Sequence, residues 1–194
     1  MAKSTLLSFI LLLSSCASFD KTNILPGQSV IGLGFSFTVP TQKSWFAVEY
    51  GTSHRIKLSQ LNNQDSFSIL VSINRGPYQG MYKNAARHLQ SIKINQQKKL
   101  KQPGFIEYVH QEWVASKYGD LCIMYTFSGE DWNGRNSEGP AIVDAIGLSC
   151  PHPKLRNILI SIDLSRRSET GAEKVDLTAY AEALFASFEY TNLD

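Results

Sequence analysis

Residues 66–75 read SFSILVSINR, with Phe67, Ile69, Val71 and Ile73 alternating against serine, leucine and asparagine. That period of two places one residue set on each side of an extended chain and marks a strand with one buried face. Beyond the GPYQG stretch (76–80) the period changes. Met81, Ala85, Leu89 and Ile92 recur every three or four residues, the spacing that lines one face of a helix, while Lys83, Arg87 and Lys93 fall on the other. KKLKQPG (98–104) ends that helix at Pro103 and Gly104. Upstream, GFSFTVP (34–40), SWFAVEY (44–50) and HRIKLSQL (54–61) read as short strands, with NNQD (62–65) as a turn. Downstream, FIEYVHQEWVA (105–115), LCIMYTF (121–127), AIVDAIGLSC (141–150) and NILISIDLS (157–165) read as further strands, the first two joined by the turn KYGD (117–120). The chain closes on DLTAYAEALFASFEY, where Leu177, Tyr180, Ala181, Leu184, Phe185 and Phe188 keep helical spacing and Asp176 is placed to cap. The order predicts an α+β fold, an antiparallel sheet of about six to eight strands with two amphipathic helices packed on it.

Composition agrees with one globular domain. Of 194 residues, 43% are hydrophobic and 19% charged, which supplies a sizeable core and excludes wholesale disorder. The net charge of +2, one less without Lys3, is too small for a nucleic-acid-binding domain, whose affinity rests on clustered phosphate neutralisation.

The first segment reads as targeting. Lys3 precedes the apolar run LLSFILLL (6–13), which falls far short of the roughly 20 residues that cross a bilayer as a helix. The run ends in LSSC (13–16), which resembles the lipobox of bacterial lipoproteins. The resemblance implies thioether diacylation of Cys16, cleavage before it and N-acylation of the new terminus. Two or three acyl chains, at about 0.8 kcal/mol per buried methylene, hold a chain to a membrane where one is marginal. The expected organisation is a signal peptide over 1–15, a lipidated flexible tether over 16–29, and one extracytoplasmic domain over 30–194. Ala17 after the cysteine, rather than aspartate, resembles lipoproteins sorted to the outer membrane and facing the periplasm.

Given that address, Cys122 and Cys150 are the remaining pair, and outside the reducing cytosol such a pair tends to be oxidised. If the two face each other in a hairpin, Met124 stands opposite Leu148 and Thr126 opposite Ile146, giving one coherent apolar side. On the other side Tyr125 and Phe127 meet Gly147 and Ala145, large against small, which predicts a sheet covered on both faces. Metal or redox readings of the pair have little support: there is no CxxC, and His152 in CPHP stands between prolines.

The element order, with the early FSFTVP...SW element and the closing amphipathic helix, resembles the Mog1/PsbP-like fold, which includes bacterial lipoproteins of the DcrB type. The resemblance covers about residues 30–190 and implies a helix-covered antiparallel sheet. The central cysteine hairpin is not part of it.

Nothing in the sequence announces catalysis. His54, His88, His110 and His152 sit on different elements, and with Glu130, Asp131 and Glu138 they form no nucleophile elbow, HExxH, P-loop or GxGxxG pattern. No catalytic residue, cofactor or metal ligand is assigned. The loop GEDWNGRNSEG (129–139) is the candidate site: an exposed tryptophan costs apolar area unless it folds back or meets a partner, and Trp and Arg dominate interface hot spots. Trp132 and Arg135 are therefore the candidate partner-binding residues. Lys98, Lys99 and Lys101, with the basic helix face, form a second candidate, a patch for anionic headgroups or a plain solvated surface. The expected function is a lipid-anchored envelope lipoprotein serving as a non-catalytic accessory or binding component. Its expected contacts are the membrane through Cys16 and an envelope protein complex, with no nucleic acid. The alternatives are an envelope hydrolase with a spatially assembled site, or a small-ligand carrier with its pocket between sheet and C-terminal helix.

Overall fold

The alternation that marks residues 66–75 as a strand builds the middle of a large antiparallel sheet. The structure is a computed structural model that describes residues 22–41, 45–49, 55–61, 65–75, 82–101, 103–133, 139–155 and 157–191. The leader with Cys16, and Met81, His54, Arg135 and Glu138, lie outside the described residues. In chain order the elements are β1 (Thr22–Ile24), β2 (Ser29–Gly32), β3 (Phe35–Thr38), β4 (Trp45–Glu49), β5 (Arg55–Leu61), β6 (Asp65–Arg75), α1 (Ala85–Leu100), β7 (Phe105–Val114), β8 (Ile123–Asp131), β9 (Ala141–Pro151), β10 (Ile158–Glu169), α2 (Thr178–Ala186) and β11 (Glu189–Tyr190). Eight strands form one sheet in the order β1-β4-β5-β6-β10-β9-β8-β7, every pairing antiparallel. The fold is α+β.

Three expectations need correction. The FSFTVP strand does not join the main sheet. It pairs as β3 with β2 and β11 in a separate three-stranded sheet, which seats Phe35, Phe37 and Val39 in the core. The tether does not run unbroken to residue 29, because Thr22–Ile24 already pairs with β4 at the edge of the main sheet. The closing helix stops at Ala186: Phe188 leaves it to stack on Phe35, and the next two residues become β11. Its start agrees with the sequence. Leu177 has helical dihedrals, and the Asp176 carboxylate accepts the Thr178 N–H at 2.8 Å; the Thr178 hydroxyl and then this N–H hold the Asp176 carboxyl below its usual range.

The main sheet has one apolar side and one mixed side. Ile69, Val71, Leu148, Ile160, Ile162 and Leu164 share the first, under Ala181, Leu184 and Phe185 of α2 and the phenylalanines of β3. Ser187 ties these two covers together, because its hydroxyl accepts the Thr38 N–H at 3.0 Å and donates to the Leu184 carbonyl at 2.7 Å. Cys122 and Cys150 are joined on this side, in the register read from the sequence, with Met124 opposite Leu148 and Thr126 opposite Ile146.

The second side carries Ile123 and Tyr125, and α1 lies over them. Asn84 starts this helix by accepting the Arg87 N–H on its side chain at 3.0 Å. Its inner face is Leu89 and Ile92 together with His88 and Gln96, and two of these four are polar and buried. His88 is sealed, with no exposed surface, and its Nδ1 donates to the Leu121 carbonyl at 2.6 Å. That bond leaves Nε2 as an acceptor, 3.5 Å from the Ser149 hydroxyl, which in turn lies 3.1 Å from Ser161. The Tyr125 ring crosses Gly147, where any Cβ would overlap it, and its buried hydroxyl donates to Asp163. Burial and the Asp163 charge keep that phenol protonated, far above its usual pKa.

Two outcomes follow for stability. Cys122→Ala, with a native sequence separation of 28 between the joined cysteines, should lower unfolding free energy by about 3.5 kcal/mol in the loop-entropy estimate while leaving the far-ultraviolet spectrum intact. A denaturant titration of parent and variant measures it. His88 is neutral in the fold because burial lowers its pKa from 6.5. The unfolded chain therefore takes up this proton first as pH falls, so stability should be level above pH 6.5 and decline below it, until the lowered native pKa is passed. His88→Gln, which keeps a donor for Leu121, should flatten that decline, read from denaturant midpoints on either side of pH 6.5.

Candidate binding surface

Among the described residues, those expected to act do not converge. Among the histidines, His88 is locked under α1, and His152 accepts the backbone N–H groups of Lys154 and Leu155 on Nδ1 at 3.2 and 3.0 Å, closing the turn after β9. His110 sits between Glu107 at 3.6 Å and Glu112, whose Oε1 is 3.1 Å away but not aligned for a hydrogen bond. Among the described residues, Ser149 and His88 form a pair of hydroxyl and imidazole. Both are fully buried, so no substrate reaches them, and the pair serves to dock the helix.

The carboxylates Glu130 and Asp131 belong to β8, not to the loop, opposite Ile142 and Ala141. Asp131 is paired with Arg167 and accepts the Asn133 N–H. Glu130 is held from two sides: Tyr108 donates its hydroxyl to one oxygen, and Trp132 donates Nε1 to the other at 3.1 Å. The hydrogen bond to Glu130 also raises the Tyr108 pKa.

Trp132 stays out of the core. It is 56% exposed, yet its position is fixed by the bond to Glu130 and by its backbone N–H, which donates to the Gly104 carbonyl at 2.7 Å. Gly104 supplies that carbonyl from a turn with φ +82°, a left-handed conformation suited to glycine. Asn133 reinforces the turn by donating from its side chain to the Pro103 carbonyl at 2.7 Å. The ring is thus pre-positioned without being buried.

Its neighbours are what sequence reasoning missed. The register puts Ile106 opposite Glu130, Val109 opposite Ser128 and Trp113 opposite Met124, all on the sheet side that carries Glu130 and Trp132. A bulge between Glu107 and Val109 takes Tyr108 out of the ladder and lets its hydroxyl reach Glu130. Ile106 is 49% exposed and Tyr108 55%, with Val109 and Trp113 also exposed. Ile106, Tyr108, Val109 and Trp132 therefore share one open face near a single clamped carboxylate, and Trp113 lies farther along the same side of β7. A contiguous exposed patch of this kind with a polar rim marks an interaction surface. The signal in the sequence was the adjacent pair Tyr108-Val109, which breaks strict alternation.

The basic candidate lies on the opposite side. Lys83, Arg87, Lys98 and Lys101 are exposed on or beside α1, which covers the other face of β7 and β8; the Lys99 side chain, like Arg135, is outside the described residues.

No protein-family model and no curated protein matches the chain. Among solved structures, the solution structure of cyanobacterial PsbP (CyanoP) from Synechocystis sp. PCC 6803 aligns with it at 16% identity and a TM-score of 0.41, over 92% of this chain and 99% of that one.

Proposed function

We propose that this chain is a lipid-anchored envelope lipoprotein that works by binding, as a non-catalytic accessory component, and that it meets its partner through the open face of β7 and β8. The observation that carries the reading is Trp132, exposed and yet fixed by two hydrogen bonds beside Tyr108 and Ile106. An aromatic held in place before contact loses little freedom on binding, which is how hot-spot anchors gain affinity. Acylation at Cys16 supplies the tether, and the periplasmic side of the outer membrane is the proposed address. The side chains over β7 and β8 split by charge: the exposed lysines and arginine on or beside α1 lie on one side, the aromatic face on the other. A basic helix turned toward anionic headgroups, at about 1 kcal/mol per charge, leaves the aromatic face pointing away from the membrane.

Trp132→Ala is the informative change. Binding to the envelope partner, recovered by cross-linking in intact cells, should weaken by about 2 kcal/mol or more. The melting temperature of the isolated protein should not move, because the ring is outside the core. Partner recovery equal to the parent's would overturn the reading. The anchor is tested separately. Cys16→Ser should abolish metabolic labelling with a fatty acid and leave the precursor uncleaved, whereas labelling and processing like the parent's would end the lipoprotein reading.

A further inference from the structure

Between Ser66 and Ile106 the chain carries seven lysines and arginines and no aspartate or glutamate, which leaves the remainder net acidic. Helix α1 lies within this segment, and its first turn has no carboxylate. His88, Leu89, Ile92 and Gln96 are turned to the sheet. On the opposite side Arg87, Gln90, Ile94, Lys98 and Lys101 recur every three or four residues, all exposed, in a line about 21 Å long. Lys101 belongs to the line because its N–H continues the helical ladder to the Gln97 carbonyl at 3.2 Å, and exposed Lys83 precedes the helix at the other end. Among the described residues, none of these four cations is paired with a carboxylate.

Such a line works against the helix that bears it. Arg87 stands in the first turn, where the helix dipole disfavours a cation, and Lys98 and Lys101 are like charges three residues apart. An anionic surface laid along the line offsets both penalties. The line is the convex back of a helix, with no groove to seat a folded partner's side chain, whereas a layer of lipid headgroups adapts to a convex surface. At its centre Ile94 is 44% exposed, an apolar side chain between cations whose stems can lie along the layer while their heads reach phosphates. Under the tethered reading a bilayer is within reach, because Thr22 of β1 follows Cys16 by six residues, about 20 Å when extended. β1 and the β7–β8 end that α1 covers are opposite ends of the sheet, so an anchor at Cys16 does not by itself set which side meets the lipid. Resting on the reading of the chain as membrane-tethered, we infer that the outer line of α1 is a second, lipid-binding site of the folded domain. Lys83, Arg87, Lys98 and Lys101 take the phosphates of anionic headgroups, and Ile94 enters the layer between them.

The test inserts the purified full chain into lipid nanodiscs that contain a nitroxide-labelled lipid, made of phosphatidylcholine alone or mixed with phosphatidylglycerol. Paramagnetic broadening of the Ile94 methyl signal, read by NMR, reports contact, and the Ile106 methyl on the aromatic face is the comparison. On mixed discs Ile94 should broaden and Ile106 should not; on neutral discs, or at high salt, the Ile94 effect should be lost. Arg87→Gln and Lys98→Gln should each lower the ratio of docked to free chain about fivefold, with the melting temperature unmoved because both side chains are exposed. Equal broadening on both kinds of disc, none on mixed discs, or broadening at Ile106 in place of Ile94 overturns the inference. So does short duplex DNA that shifts the Ile94 signal at physiological salt as far as mixed discs do, which would assign the line to polyanions in general. If Trp132→Ala loses its envelope partner while Ile94 stays unbroadened on mixed discs, the partner surface stands and the lipid site falls.

Discussion

The constraint on which this architecture depends is the unequal chemistry of the two sides of β6 and β10. Ile158, Ile160, Ile162 and Leu164 of β10 meet Ile73, Val71 and Ile69 of β6 on one side, while Ser161, Ser165, Ser68 and Ser72 fall on the other. Burying a branched aliphatic side chain stabilises by about 1.5–3 kcal/mol, and a serine offers no such gain. The first side must therefore be covered. Both α2 and the small sheet of β2, β3 and β11 are recruited to it, and the latter folds Phe35 and Phe37 inward although their strand never joins the main ladder.

On the second side α1 packs where Ile123 and Tyr125 offer apolar surface. That is why α1 sits over the β7–β8 end and not over the serines. Its inner face is mixed, so it is held by a few apolar contacts plus polar bonds that must each be satisfied: His88 to Leu121 and Ser149, Tyr125 to Asp163. Regions with fewer apolar contacts open more readily than the core, so this end of the sheet is the less firmly held one. The Cys122–Cys150 link stands at its boundary, fixing the register of β8 on β9 just where the continuous core gives way to the open face.

The sequence exposes this division only in part. Strands with strict alternation are legible because period two has one reading, and the cysteine hairpin is legible because disulfide and apolar pattern demand the same register. β1, β2 and β11 are not legible, since two to four residues carry no measurable period. The split into two sheets escapes as well: Phe35 and Phe37 alternate identically whether β3 pairs with a long strand or a short one. At the site, Trp132 is legible as a residue out of place in a polar loop. Its neighbours are not, because Ile106 and Val109 come onto one face through a bulge, and a bulge shows in sequence only as an apolar pair where one residue was expected.

A loosely held end explains why the open face can be acidic and aromatic at once. In a tightly packed core a clamped carboxylate beside exposed rings would be a defect, since a buried charge needs full compensation. At the sheet's rim Glu130 keeps solvent within reach and still orders two rings through its two oxygens, so one charge positions both Tyr108 and Trp132 without a hydrophobic scaffold beneath them. The positions of both rings thus rest on one group, and the polarity of β8 at Glu130 is the condition for an ordered aromatic surface, not an interruption of it.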